Sequence, residues 1–202
     1  MINAKQRFIN EIAHTKSLGS LHSHVVATYT LPHDADDLNR TKIVWSVSAF
    51  DKLIHDLIRL GMVQTFSGAR NPTPKYLAEP VPLSTIVSTY SVPLAPAAIT
   101  FEQVVFGKLK HLSFQDPKKL MDGLSLIWSE GNKWATIATE IGLSESDART
   151  KLALIASRRN AIVHEADLDP LTLSKNGLDV ASSDDVVMFI EKLGLAICKF
   201  II

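Results

Sequence analysis

Apolar positions along this chain recur at three- and four-residue spacing, the period of an amphipathic helix, and nowhere alternate over the length of a strand. The clearest run lies between Asp36 and Leu60, where Ile43, Val47, Phe50, Ile54 and Leu57 form one stripe. Asp36 and Asp37 suit its N-terminus and Gly61 suits a C-terminal cap, so the pattern predicts one long helix over 36–60. A first helix is predicted from Asn3 to Leu18. Residues 67–97 break the rhythm, because Pro72, Pro74, Pro80, Pro82, Pro93 and Pro96 separate short Ser/Thr-rich pieces. This stretch reads as an irregular insert holding a short helix near Ser84 to Tyr90. Helical spacing returns at Thr100–Leu112, Pro117–Trp128, Lys133–Ile141, Ser144–His164 and Asp184–Phe200. The expectation is an all-α chain: a bundle of about six or seven helices in a single domain over 1–202, with a proline-rich insert.

Composition narrows the function classes. With 202 residues, 46% of them apolar and 21% charged, the chain can bury one substantial core, which excludes a disordered or fibrous protein. Twenty-one Lys and Arg balance twenty-one Asp and Glu, so no global basic field holds nucleic acid and any such contact must be local. The single cysteine, Cys198, allows neither a disulfide framework nor a Cys-based zinc site, which points to a reducing compartment and makes the cytoplasm the expected location. Lys5, Arg7, Glu11 and His14 interrupt Phe8, Ile9 and Ile12, unlike the core of a signal peptide, and no run of about 18 apolar residues spans a bilayer. The glycines are scattered, which excludes a phosphate-binding glycine loop. No cofactor or metal is expected.

One helix carries an anomaly. On a wheel of about 100° per residue, Ala148, Leu152, Ile155, Ala156, Ile162 and Val163 share an apolar arc, and Arg159 falls in its middle. A guanidinium cannot lose its charge, so burying one costs several kcal/mol unless an anion compensates. The plain account is an ion pair with Asp51 or Glu165, or a stem lying on the core with its head in water. Beside it, Arg149, Ala153, Ser157, Asn160 and His164 make a second stripe of small and polar residues, along which another backbone can approach. Asn160 and His164 stand four apart, placed for the amide to orient the imidazole.

The segment Ser157-Arg158-Arg159-Asn160-Ala161-Ile162-Val163-His164-Glu165-Ala166-Asp167 resembles the signature of HEPN domains: an arginine, a polar residue, three residues and a histidine. Ser46-Val47-Ser48-Ala49-Phe50-Asp51-Lys52-Leu53-Ile54-His55-Asp56-Leu57 and Leu112-Ser113-Phe114-Gln115-Asp116-Pro117 are similar to the RiboL-PSP-HEPN subfamily. The resemblance covers most of 36–170 and implies a metal-independent endoribonuclease working on RNA as a homodimer, two signature helices facing across a composite cleft. It implies that His164 moves the proton of the 2′-hydroxyl or of the leaving 5′-oxygen, that Arg159 holds the phosphate, and that Asn160 orients or assists. Arg158 and Arg149 are the expected substrate-binding cations. The family's links to defence, toxin and stress loci imply an antitoxin or defence-system partner. The chemistry is consistent, since RNA supplies its own nucleophile and needs a proton acceptor titrating near neutrality and a fixed cation.

Other readings stay open. The same fold without the chemistry would be an RNA- or nucleotide-binding or dimerisation module. Ala135 to Ser144 reads like the first half of a DNA-binding helix-turn-helix, but Glu145 and Asp147 would then face phosphates, and Lys151 stands where an apolar residue belongs. A plain helix corner capped by Ser144 explains the same string. His22 and His24, with His14, His33 and Asp34 nearby, are candidate metal ligands, although a polar loop reads better. Asp51 and His55, four apart, could orient one another or reach the cleft, although surface decoration reads better.

Overall fold

A computed structural model describes the backbone of residues 1–29, 32–91 and 96–202, and the side chains of all these except 32–34 and 88–91. Among them the chain forms α1 (Ile2–Thr28), α2 (Pro32–Phe66), α3 (Pro74–Leu77), α4 (Leu83–Ser91), α5 (Ala97–Leu109), α6 (Pro117–Leu124), α7 (Lys133–Glu140), α8 (Glu145–His164) and α9 (Val180–Ile201). The fold class is all-α: the described residues hold no strand, and the β geometry between α8 and α9 is an isolated bridge of Leu168 with Lys175. Helices exceed the expected six or seven partly because the insert builds α3 and α4. Pro74 opens α3 where its missing N–H is harmless, and the Thr73 hydroxyl accepts from the Tyr76 N–H.

The spine is α2, which packs against α1, α5, α6, α8 and α9. Its stripe of Ile43, Val47, Phe50, Ile54 and Leu57 is fully buried. It continues through Gly61 to Phe66 instead of ending there. A Cβ at Gly61 would come within 2.6 Å of Ile127 Cγ2, so the glycine admits the chain that follows α6 and caps nothing. Likewise α1 runs past Leu18 and Gly19 to Thr28, which places His22 and His24 on a helix and not in a polar loop. His22 is buried, with Nε2 3.8 Å from Asp36 Oδ1. The side chains of His33 and Asp34 lie outside the described residues.

One cluster of buried apolar side chains draws on α1, α2 and α5 to α9. In α9, Val187, Ile190, Leu193 and Ile197 face inward, and Gly194 lets Phe8 of α1 approach, since a Cβ there would meet the ring at 2.5 Å. Beside them Lys42 is fully buried; its ammonium donates to Ser183 Oγ at 3.0 Å and to the Asp184 carboxylate. Between α7 and α8, Gly142 takes a positive φ of 75° and Ser144 Oγ accepts from Asp147 N at 3.0 Å, with Glu145 and Asp147 at the positive end of the helix dipole. Lys151 is accommodated by Asp185, 2.7 Å away, and by the Phe189 ring, 5.3 Å from its ammonium.

Asp51 and His55 are more than decoration. Asp51 Oδ1 accepts from Phe114 N at 2.6 Å, and His55 reaches Leu112 O at 3.2 Å and meets the Phe114 ring edge-on at 4.7 Å. The pair, 3.5 Å apart, ties the segment between α5 and α6 to the spine. Among the described residues no helix is long and apolar enough to cross a membrane.

Candidate active site

Helix α8 leaves the core part-way along. Ala148, Leu152 and Ile155 are buried, Ala156 and Ile162 only half-buried, and Val163 is exposed, so the arc read from the sequence is covered in its first half alone. Arg159 sits where the cover runs out. Its Nε is enclosed without a hydrogen-bond partner, while its Nη1 donates to Asn160 Oδ1 at 3.1 Å. Among the described residues no carboxylate pairs with it: Asp51 holds Phe114 and His55, and Glu165 is exposed. The second part of the plain account holds better, a half-buried stem with its head at the surface.

Asn160 serves Arg159, and no hydrogen bond joins it to His164 among the described contacts. His164 is exposed as the last residue of the helix. Arg149, Ala153, Ser157, Asn160 and His164 are all exposed, so the second stripe is open along its whole length. Arg149 pairs with Glu145 at 3.1 Å and borders a shallow hollow of about 580 Å³ beside Pro117. On a regular helix, residues five apart point about 140° away from one another. Arg159 and His164 therefore leave α8 on different faces.

Arg158, read from the sequence as a substrate cation, is committed elsewhere. Its Nη2 donates to Asp167 Oδ2 at 2.9 Å and to Gly177 O at 3.3 Å. Asp167 is fully buried and also accepts from Arg40 Nε of α2 at 2.7 Å. Arg40 continues to Asn176 O at 2.6 Å and to Asp37 Oδ1 at 3.0 Å. Asp37 also holds Lys175, 2.8 Å from both its oxygens, and Lys175 followed by Arg40 keeps its carboxyl below the usual range against the opposing effect of burial. Asn176 closes the ring onto Asp167, its backbone N–H reaching the Asp167 carbonyl at 2.8 Å. Ala166 and Asp167 adopt positive φ of 52° and 57°, which turns the chain sharply after His164. The clamp thus fixes the loop behind His164 to α2 and α8, leaving Arg149 as the exposed cation of the predicted pair.

Sequence reasoning missed Asp167 and Arg40 as site-forming residues. Asp167 lay inside the quoted signature, but its partner Arg40 is 127 residues away. Among the described residues no cluster of three His, Cys, Asp or Glu could hold a metal ion. No known family model, curated protein or solved structure matches this chain.

Proposed function

We propose that this chain is a HEPN-like, metal-independent endoribonuclease that acts in the cytoplasm as a homodimer, in a defence, toxin or stress response. The observation that supports it is the end of α8, which carries a half-buried arginine with no acidic partner among the described residues and, five residues on, an exposed histidine, beside an open stripe of small and polar residues. In this reading the 2′-hydroxyl oxygen attacks phosphorus, the 5′-oxygen leaves, and a 2′,3′-cyclic phosphate forms. His164 moves a proton at one of those oxygens, and Arg159 offsets the charge that builds on the non-bridging phosphate oxygens. Asn160 holds the Arg159 head, a change from its expected partner. Two copies meeting along Arg149, Ala153 and Ser157 would bring Arg159 of one toward His164 of the other, which answers the divergence within a chain.

The test incubates purified protein with total RNA in excess EDTA and assigns the chemistry of the new ends. Cyclic phosphate and 5′-hydroxyl ends, lost in His164→Ala and Arg159→Ala, are expected. Loss of cleavage on chelation with return on magnesium would overturn the mechanism. Mixing the two inactive variants under subunit exchange should restore activity if the pair forms between chains with independent sites. Silence despite demonstrated heterodimers would overturn that arrangement.

A further inference from the structure

The groove between α1 and α2 carries chemistry that the α8 site does not use. It has a volume of about 790 Å³ and presents polar and aromatic side chains from both helices. Trp45 on α2 is 44% exposed at one end, although an indole of that size is ordinarily drawn into the core. His14 of α1 stacks on it with ring centroids 5.6 Å apart and an angle of 30°, an open wedge. His14 is itself exposed, so its ring is not held in place by burial.

At the other end of the same groove lie Arg7 and Lys52, both with largely exposed stems. Their heads are held by Asp56, 3.0 Å from Arg7 Nη2 and 2.5 Å from Lys52 Nζ. Burial alone would raise the Asp56 carboxyl, but Lys52, Arg59 and Arg7 outweigh it and keep it ionised, so the two cations are tethered and face solvent with their remaining donors. Trp45 and Lys52 stand seven residues apart on one face of α2, about 10 Å along the axis, a gap the flexible lysine stem shortens. Between the two ends Glu11 lines the groove and has no ion-pair partner among the described residues. A carboxylate there accepts from the amino group of a base edge. On its far side Trp45 borders a second hollow of about 320 Å³ whose wall includes Ile162 and Ala166, each two residues from His164.

We propose that this groove is a nucleotide subsite: an unpaired, amino-bearing base inserts between His14 and Trp45 while its phosphate rests on Arg7 and Lys52. Aromatic platforms bordered by cations are the general solution for single strands, because every base has a π-face and every linkage a charge. The inference rests on the ribonuclease reading for naming RNA as the natural ligand, and gives the substrate strand an anchor beside α8.

The experiment uses AMP, adenosine, UMP and a short labelled oligodeoxyadenylate, which lacks the 2′-hydroxyl and cannot be cut by the proposed route. AMP should quench indole emission saturably, and the oligonucleotide should bind by fluorescence polarisation. Trp45→Leu should weaken oligonucleotide binding about tenfold or more. Lys52→Ala should weaken AMP binding and leave adenosine unchanged, and Glu11→Gln should reduce the preference for AMP over UMP. If Trp45→Leu does not fold, Trp45→Phe reads the same contact, expected to keep binding and lose the quench. No saturable binding at millimolar AMP or oligonucleotide, or full binding by folded Trp45→Leu, overturns the subsite. Cleavage of RNA without such binding sinks this inference alone. Binding without cleavage keeps it and sinks the ribonuclease reading.

Discussion

Replacing Asp167 by Asn keeps size, shape and tolerance of the positive φ while removing the charge that two guanidiniums share. Asp167 is fully buried and the Arg40 side chain is 8% exposed, so that contact lies in the interior; Arg158 is 28% exposed and partly solvated. Leaving one member of a buried pair alone typically costs about 3–5 kcal/mol. Two features reduce the figure here: Arg40 retains Asp37 and the Asn176 carbonyl, and water can reach Arg158. One feature raises it, because the new amide directs N–H groups toward either the guanidiniums or Asn176 Nδ2, which now donates to Asp167 Oδ1 at 3.4 Å. The expected loss is about 2–4 kcal/mol, a fall in thermal midpoint of roughly 5–15 °C for a chain of this size. Urea denaturation at neutral pH measures the first, calorimetry the second. Hydrogen exchange supplies the local reading: amides of Asp169, Leu173 and Asn176, bonded inside the loop, should exchange faster while those of α9 follow only the global change. A loss under about 0.5 kcal/mol would refute the claim that Asp167 holds the loop by charge, and would assign it to backbone bonds.

Three further outcomes follow from other parts of the molecule. Gly194→Ala should destabilise by about 1–3 kcal/mol, since its Cβ meets the Phe8 ring and Leu53 Cδ2 lies 3.2 Å away; wild-type stability would mean that α1 and α9 separate freely. Cys198 is buried and its thiol is pushed up to about 11 by that burial, so a disulfide reagent at pH 8 should label it only as fast as the protein opens; rapid labelling of native protein contradicts this placement. Burial raises the Asp56 carboxyl, but Lys52, Arg59 and Arg7 bring it below its ordinary value, so its stabilisation is complete above an unfolded pKa of about 3.9 and fades as pH falls through the lower folded value. Asp56→Asn should therefore lower the midpoint at neutral pH and flatten its decline below about pH 4, and parallel declines in both proteins would contradict the linkage.

Where residue pattern and local chemistry agree, the sequence is a sufficient guide. The limits of α8 were legible because Ser144 is a capping residue followed by acids, and the α2 stripe because five apolar side chains share a face. Gly61 misled for a physical reason: a glycine marks a helix end and a close approach by the same residue type, and only the position of Ile127 decides which. Arg159 was recognisable as misplaced on an apolar arc. That the arc itself runs out of the core was not, because cover is supplied by other helices. Arg158 and Arg159 are adjacent and identical in type, yet one is locked to Asp167 and the other lacks an acid among the described residues. That distinction comes from Arg40, which the chain brings from α2.

The packing of α9 across both α1 and α2 has a bearing on how the chain is made. The ribosome releases α1 and α2 first and α9 last among these helices, so the inward faces of Leu53, Ile54 and Phe8 meet water, or a chaperone, throughout the synthesis between them. A nascent chain halted before Val180 would already display the Arg159–His164 segment, but it would lack the helix that covers Phe8 and Leu53 and supplies Ser183 and Asp184 to Lys42. Truncation before Val180 should therefore yield aggregates instead of a shortened active protein, because the apolar faces of α1 and α2 lose their α9 cover.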